Sequence, residues 1–219
     1  MKRIVYACDI GSTRKKKFAW ARVDLAGRFR PQLDNKIDTL VEHLTKDLAD
    51  GSSVALGFEA PLFMPIPPKS NDLSHGRMGE GNRSLFAPAG ASVSTLAIHQ
   101  TAFILKGILD SGRMHNLTVD LSEWRASKKR PCLFLWEAFV SGDAHVQNGH
   151  DHHDAATAAK YFVRYHDDPK FKSDVNTDHE CLSMIGAVAI WSGWTNDVEI
   201  LKKKCLVFRP KKKIDRYLG

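Results

Sequence analysis

Cysteine is scarce in this chain, and its four cysteines stand far apart, with no Cys-x-x-Cys pair among them. Three of them lie in apolar stretches, which is typical of small core residues rather than of a disulfide framework. A chain of 219 residues buries roughly 70% of its unfolded surface, so its core needs no cross-links. We therefore predict a reduced, intracellular protein.

Proline, glycine and long hydrophobic runs are limited as well. With 9 prolines and 15 glycines the chain is neither collagen-like nor of low complexity, and 43% apolar and 26% charged residues are ordinary for a globular domain. The apolar run after Met1-Lys2-Arg3 stops at Asp9, too early for a secretory signal, and no stretch reaches membrane-spanning length. These absences predict a soluble, cytoplasmic protein without a membrane partner.

Positive charge is in excess. The chain has 32 Lys and Arg against 25 Asp and Glu, a net charge of +7 and a pI near 9.2. This balance favours a polyanionic partner, and nucleic acid, either DNA or RNA, is the first expectation. The same charge also lies within the range that keeps a domain soluble.

Buried strands and helices alternate along the chain. We predict strands at residues 3–11, 18–25, 53–58 and 132–140, and helices at residues 35–50, 92–111, 149–165 and 179–194. Weaker patterns indicate short strands within residues 28–32 and 198–208. The order predicts an α/β fold in which helices cover a mixed sheet. We predict one domain over residues 1–219, with a long loop insertion at residues 61–91 and a basic C-terminal extension at residues 196–219.

Two acidic residues end predicted central strands. Asp9 shares a strand face with Val5 and Ala7, and Glu59 closes the strand that follows the first helix. A buried carboxylate is costly unless it is paired, hydrogen-bonded or bound to a metal, and sites collect at the carboxyl ends of strands in α/β sheets. The alternatives are a turn aspartate and an exposed glutamate at a strand end.

A third carboxylate, Glu137, lies in a strand that is apolar on both faces. Leu133 and Leu135 share its face, and the opposite face carries Phe134 and Trp136. No register of this strand turns the carboxylate to solvent, so we interpret Glu137 as a site residue. The alternative is a buried glutamate that is paired with an arginine or lysine, or held neutral.

Asp151 and Asp154 are three residues apart on the predicted late helix, so they share one helix face. That face continues through Ala155 and Ala158, whose small side chains allow close approach to a sheet. Capping of the helix N-terminus is the alternative role for both aspartates.

These five carboxylates together predict a metal site. Hard divalent cations such as Mg²⁺ and Mn²⁺ bind several carboxylate oxygens. Two such ions about 3.5–4 Å apart stabilise both the attacking and the leaving oxygen in phosphodiester hydrolysis. The cations also remove the repulsion that keeps clustered carboxylates from ionising together.

The order of these motifs resembles the ribonuclease H-like nuclease superfamily. The matching segments are ACDIGS around Asp9, LGFEAPL around Glu59 and HDHHDAATAA on the late helix. More narrowly, the chain is similar to the predicted-nuclease family catalogued as domain of unknown function 429, and the likeness spans roughly residues 3–165. The residues that carry this narrower likeness are Asp9, residues 59–62, Arg77, Arg83, Glu137 and residues 151–155.

The resemblance implies a five-stranded mixed sheet flanked by helices and metal-dependent cleavage of DNA or RNA. In this interpretation Asp9, Glu59, Glu137 and Asp154 are catalytic ligands of Mg²⁺ or Mn²⁺. Asp151 is an alternate or additional ligand. A metal-bound water would attack the phosphate.

Five basic residues are predicted to contact nucleic acid. Arg14, Lys15 and Lys16 directly follow the strand of Asp9, so they are well placed to hold a substrate backbone. Arg77 and Arg83 lie in the long loop, which would close over a substrate. A solvated surface is the alternative for each of them.

Two other functions stay open. The segment DIGST from Asp9 to Thr13 also looks like the first phosphate loop of the actin-like ATPase and sugar-kinase superfamily, in which backbone N–H groups surround nucleotide phosphates. That fold doubles the ribonuclease H-like unit, and 219 residues is short for two copies. The other possibility is a non-catalytic member of the fold that binds nucleic acid or a partner protein.

Histidines cluster near the two late aspartates. His145, His150, His152 and His153 fit no standard zinc spacing, so polar residues around a helix start are the preferred interpretation. A narrower hypothesis is that His150 or His153 assists proton transfer at the metal site.

Overall fold

A seven-stranded sheet forms the centre of the computed structural model, which describes residues 1–26, 30–81, 84–112, 115–128, 130–140 and 152–210. A separate two-stranded sheet accompanies it. The strands are β1 (Arg3–Asp9), β2 (Ala19–Asp24), β3 (Gln32–Asp34), β4 (Ser53–Glu59), β5 (Phe63–Ile66), β6 (Asn116–Thr118), β7 (Cys132–Ala138), β8 (Glu180–Ser183) and β9 (Val207–Phe208).

The main sheet is mixed and mostly parallel. Its strand order is β3-β2-β1-β4-β7-β6, and β9 also pairs with β7. Strands β1, β4 and β7 run parallel, whereas β2 and β3 continue antiparallel from β1. Strand β6 pairs with the start of β7 and β9 with its end, both in parallel. The predicted α/β class is confirmed, but the expected count of five strands is wrong because the described sheet has seven.

Helices cover both faces of this sheet. They are α1 (Ile37–Ala49), α2 (Pro88–Asp110), α3 (Leu121–Ala126), α4 (His152–Tyr165) and α5 (Met184–Trp191), with 3-10 helices at Ser70–Asp72 and Val198–Lys202. Buried residues of α1, α2 and α5 share one core with one sheet face, and those of α3 and α4 share a second core with the other face. We call these the α2 face and the α4 face.

Alternation along the central strands divides their side chains between the two cores. In β1, Ile4 and Tyr6 belong to the core of the α2 face, and Val5 and Ala7 belong to that of the α4 face. A strand that is buried on both sides reads as a continuous apolar run, which is why β1, β4 and β7 were predictable from the sequence.

The segments between these strands differ from expectation in several places, and neither β6 nor α3 was predicted. The predicted loop at residues 61–91 contains β5, a 3-10 helix and the first turn of α2, and β5 pairs antiparallel with β8. The helix predicted at residues 179–194 begins only at Met184, because the residues before it form β8. The predicted C-terminal extension contributes β9 to the main sheet, and its residues 211–219 lie outside the described chain. Among the described residues, no helix is both long enough and apolar enough to cross a membrane.

Candidate metal centre

Asp9 and Glu59 lie side by side at the carboxyl edge of the sheet. They are direct register partners at the last positions of the parallel strands β1 and β4. Because register partners point to the same side of a sheet, both side chains belong to the α4 face, in line with Ala7 and Gly57. Both residues are half-buried.

Asp154 approaches the same edge from the first turn of α4. Its helix packs on β1 and β2 through small residues, among them Ala155, Ala158 and Ala159, each at most 1% exposed. Such a face lets the helix lie close to the sheet. Asp154 itself is buried, so a polar group at the helix start is held against the strand ends.

One carboxylate oxygen from each of Asp9, Glu59 and Asp154 lies within 4.8 Å of the other two. Two oxygens that bind one Mg²⁺ are at most about 4.2 Å apart, since each lies about 2.1 Å from the ion. The three oxygens are therefore near enough to one another to bind a single ion once the side chains adjust slightly. An all-oxygen donor set is also the kind that Mg²⁺ and Mn²⁺ prefer. We call these three residues the carboxylate trio.

A glycine and a tryptophan pack together between the sheet and α4, next to the trio. A Cβ atom at Gly57 would lie 2.3 Å from Cε2 of Trp136, so the indole occupies the space that any larger residue would need. The ring centroid of Trp136 is 4.7 Å from that of Phe162 on α4. Gly57 therefore lets an aromatic layer fill the gap between β4 and α4, two residues before Glu59.

Glu137 does not join the trio, and its assignment as a metal ligand and catalytic residue is corrected. Its strand neighbours Leu133 and Leu135 belong to the core of the α2 face, whereas Trp136 and Ala138 point toward the α4 face. Successive strand residues point to opposite faces, so Glu137 lies on the other side of the sheet from Asp9 and Glu59.

Arg77 pairs with Glu137 on that opposite side. Its Nη1 and Nη2 atoms donate to Oε2 and Oε1 of Glu137 at 2.8 and 2.7 Å, and its Nε donates to Oε1 of Glu80 at 2.8 Å. All three side chains are 1% exposed. Burial raises the pKa of Glu137, and the guanidinium partly offsets that rise. We call these residues the arginine network.

The arginine network fastens a loop to the sheet. Oε2 of Glu137 also accepts from the backbone N–H of Leu62 at 2.9 Å, three residues after Glu59. Glu80 accepts from the backbone N–H groups of Arg77 and Leu85 at 2.7 and 3.3 Å. The side chain of Arg77 is therefore buried and hydrogen-bonded within the protein, so its predicted contact with nucleic acid is wrong.

The other predicted nucleic-acid contacts have two outcomes. Arg14, Lys15 and Lys16 are exposed in the turn between β1 and β2, at the same edge of the sheet as Asp9. Arg83 lies outside the described residues, so its role stays a prediction.

Some of the residues singled out on or near the late helix are described in the structure, and others are not. Asp151, His145 and His150 lie outside the described residues. His152 and His153 open α4, and His153 is exposed.

Two cavities flank the sheet. One, of about 310 Å³, opens beside Asp9 and Glu59 and continues along the start of α2. The other, of about 460 Å³, lies at the opposite edge of the sheet between Lys2, Lys128 and His166. The larger of these two cavities is remote from the trio, whereas the smaller one adjoins two of its carboxylates.

Sequence reasoning found the trio but missed the arginine network. Glu80 was not singled out, although Arg77 and Glu80 stand three residues apart in the segment RMGE. A buried arginine was named as one partner that Glu137 could have, yet no local pattern joins residues 60 positions apart.

Comparison of the chain with protein-family models, curated proteins and solved structures finds no match in any of the three. The resemblance to ribonuclease H-like nucleases thus stays a prediction, and a functional proposal depends on the geometry of the site.

Proposed function

We propose that this protein is a Mg²⁺- or Mn²⁺-dependent nuclease with a ribonuclease H-like fold. The observation that carries the proposal is the carboxylate trio, contributed by β1, β4 and α4 from positions far apart in the chain. Five of the seven strands, in the order β3-β2-β1-β4-β7, are compatible with the five-stranded mixed sheet that the resemblance implies.

Three side chains of the trio would hold the metal. A bound Mg²⁺ or Mn²⁺ would supply Lewis-acid polarisation of the phosphate and a more acidic water. Asp9 and Glu59 stand at adjacent strand ends, and Asp154 stands on a helix whose buried alanines pack on the sheet, so regular elements rather than loops position the ligand oxygens. This placement on regular elements favours catalysis over loose ion binding.

The basic turn supports a polyanionic substrate. Arg14, Lys15 and Lys16 project exposed cations at the edge where the trio lies, and a cation near a phosphate contributes binding without demanding precise geometry. Together with the net charge of +7, this distribution favours nucleic acid over a neutral substrate.

The ATP-binding alternative finds less support in the same turn. The backbone N–H groups of Lys16 and Lys17 donate to the carbonyls of Thr13 and Ser12 at 3.1 and 2.9 Å, and that of Lys15 donates to the Ser12 hydroxyl at 3.2 Å. A phosphate loop needs such donors turned toward the ligand. These three are used within the turn, which disfavours an actin-like phosphate site.

The test is cleavage of labelled DNA and RNA, in single-stranded and duplex form, with Mn²⁺ and with a chelator. We expect Asp9→Asn to lower the rate about 100-fold or more, because metal-ion catalysis contributes several kcal/mol to the transition state. Glu42→Gln, an exposed carboxylate change on α1, is the matched control and should leave the rate unchanged.

Equal cleavage by wild type and Asp9→Asn would assign the activity to a contaminant. Cleavage that persists in the chelator would overturn the metal-dependent mechanism. Thermal melting of each variant shows whether the fold is retained.

A further inference from the structure

The cavity of about 310 Å³ beside Asp9 and Glu59 has chemically distinct ends. Its polar end is formed by these two carboxylates at the tips of β1 and β4. The rest of its lining is mostly apolar and includes Pro61, Val93 and Phe139. A ligand that fits this shape has an apolar body attached to a group that the trio and its cation would hold.

The size of the cavity limits what enters it. Its volume lies at the lower end of the roughly 300–1,000 Å³ typical of small-ligand pockets. A base within a duplex is stacked and paired on all sides, so it reaches a pocket only after it is unstacked. Every base has apolar faces that pack against apolar and aromatic side chains. Phe139 contributes an aromatic side chain to the lining, and the guanidinium of Arg209 covers one face of its ring, 4.7 Å from the centroid.

The wall of the cavity formed by α2 is held in place. Gly90 lies so close to the preceding loop that a Cβ atom there would be 2.5 Å from the Ser84 carbonyl oxygen. The same loop is fixed to the sheet through Leu85, whose N–H donates to Glu80 of the arginine network. The cavity is therefore preformed, as small-ligand sites usually are.

We propose that this cavity receives one unstacked nucleotide of the substrate, so that the protein acts on single-stranded rather than duplex nucleic acid. This inference rests on the proposed nuclease function. The base and sugar occupy the apolar part, and the adjoining phosphate lies at the cation that Asp9 and Glu59 would hold.

Binding and cleavage are measured separately to test it. A short fluorescent oligonucleotide, either single-stranded or paired with its complement, is titrated with the protein in the presence of Ca²⁺, and binding is followed by fluorescence anisotropy. Cleavage of the same oligonucleotides is then assayed with Mn²⁺. We expect the single strand to bind and to be cleaved at least about tenfold better than the duplex, as the stacking of one base allows.

A cavity-filling variant sharpens the test. Ala89 lies exposed on the first turn of α2 and lines the cavity, so Ala89→Phe should weaken single-strand binding about tenfold while leaving Mn²⁺ binding intact. Ala91→Phe on the same helix is exposed and outside the lining, and it should behave as wild type.

The outcomes separate the two proposals. Equal cleavage of single strand and duplex, or wild-type binding by Ala89→Phe, would refute the single-strand assignment while leaving the nuclease in place. Single-strand binding that Ala89→Phe abolishes, without any metal-dependent cleavage, would support the cavity and refute the nuclease.

Discussion

Two groups of acidic residues lie at one edge of the sheet, on its opposite faces, and differ in the residues that surround them. On the α2 face, the guanidinium of Arg77 donates two hydrogen bonds to Glu137 and one to Glu80. On the α4 face, the carboxylate trio converges within 4.8 Å. The arginine network has its cation built into the chain, and we propose that the trio binds a divalent metal ion.

The difference teaches that a carboxylate in an apolar strand does not by itself identify a metal ligand. Both Glu59 and Glu137 come near the carboxyl ends of parallel strands, and Glu137 is the more deeply buried. What separates them is the sheet face on which each lies, and therefore the element that packs over it.

The largest expected effect comes from removing the internal cation. Arg77→Met leaves two carboxylates buried without their guanidinium, so the free energy of unfolding should fall by about 3–5 kcal/mol. Chemical denaturation measures this change. Lys106→Met, which removes an exposed ion pair with Asp110, should cost less than about 1 kcal/mol. Similar losses for both variants would contradict the contrast between a buried network and a surface pair.

Metal binding should distinguish the two groups directly. Mn²⁺ at about 100 times its dissociation constant should raise the melting temperature of the wild type by about 5–10 °C. Asp9→Asn and Asp154→Asn should lose this rise, whereas Glu137→Gln should keep it because Glu137 is outside the trio. Differential scanning fluorimetry measures the melting temperatures of the wild type and the three variants with and without Mn²⁺. If Mn²⁺ did not raise the melting temperature of Glu137→Gln, Glu137 would have to be a metal ligand after all.

A steric change beneath the trio should have a moderate effect. In Gly57→Ala the new methyl group overlaps Trp136, and such overpacking typically costs about 1–3 kcal/mol of unfolding free energy. Adding Trp136→Phe should recover part of that loss, because the smaller ring makes room for the methyl group. Urea denaturation of the single and double variants checks this, and equal stability of Gly57→Ala and wild type would show that the aromatic layer is not tight.

The smallest expected effect concerns His166, which lies at the opposite edge of the sheet, remote from both acidic groups. Burial lowers the pKa of His166 below its ordinary 6.5, an effect that a hydrogen bond with the Val163 carbonyl only partly opposes. The folded state thus favours the neutral imidazole ring. The contribution of His166 to stability is therefore present above pH 6.5 and is lost as the pH falls through the pKa that His166 has in the folded protein.

Melting curves of the wild type and His166→Asn between pH 8 and pH 5 test this sign. The wild type should lose more stability than the variant on acidification. A variant that loses as much as the wild type would assign the pH dependence to other groups.

Much of the fold was predictable because several elements carry strong local patterns. The apolar runs of β1, β4 and β7 and the periodic spacing in α1 specify these elements from neighbouring residues alone. Strands β5 and β8 were missed because each is short and is stabilised by pairing with the other across more than a hundred residues. The start of α2 was also placed too late, since the helix begins at Pro88 without a side-chain cap.

The sequence by itself determined that Asp9, Glu59 and Asp154 are acidic residues at strand ends and at a helix start, where burial of a carboxylate demands a partner. Only the tertiary structure decided that these three converge while Glu137 turns away to Arg77. The physical reason is the alternation of side chains along a strand. When both faces of β7 are apolar, local pattern does not reveal which helix layer covers the carboxylate, and packing of distant segments makes that choice.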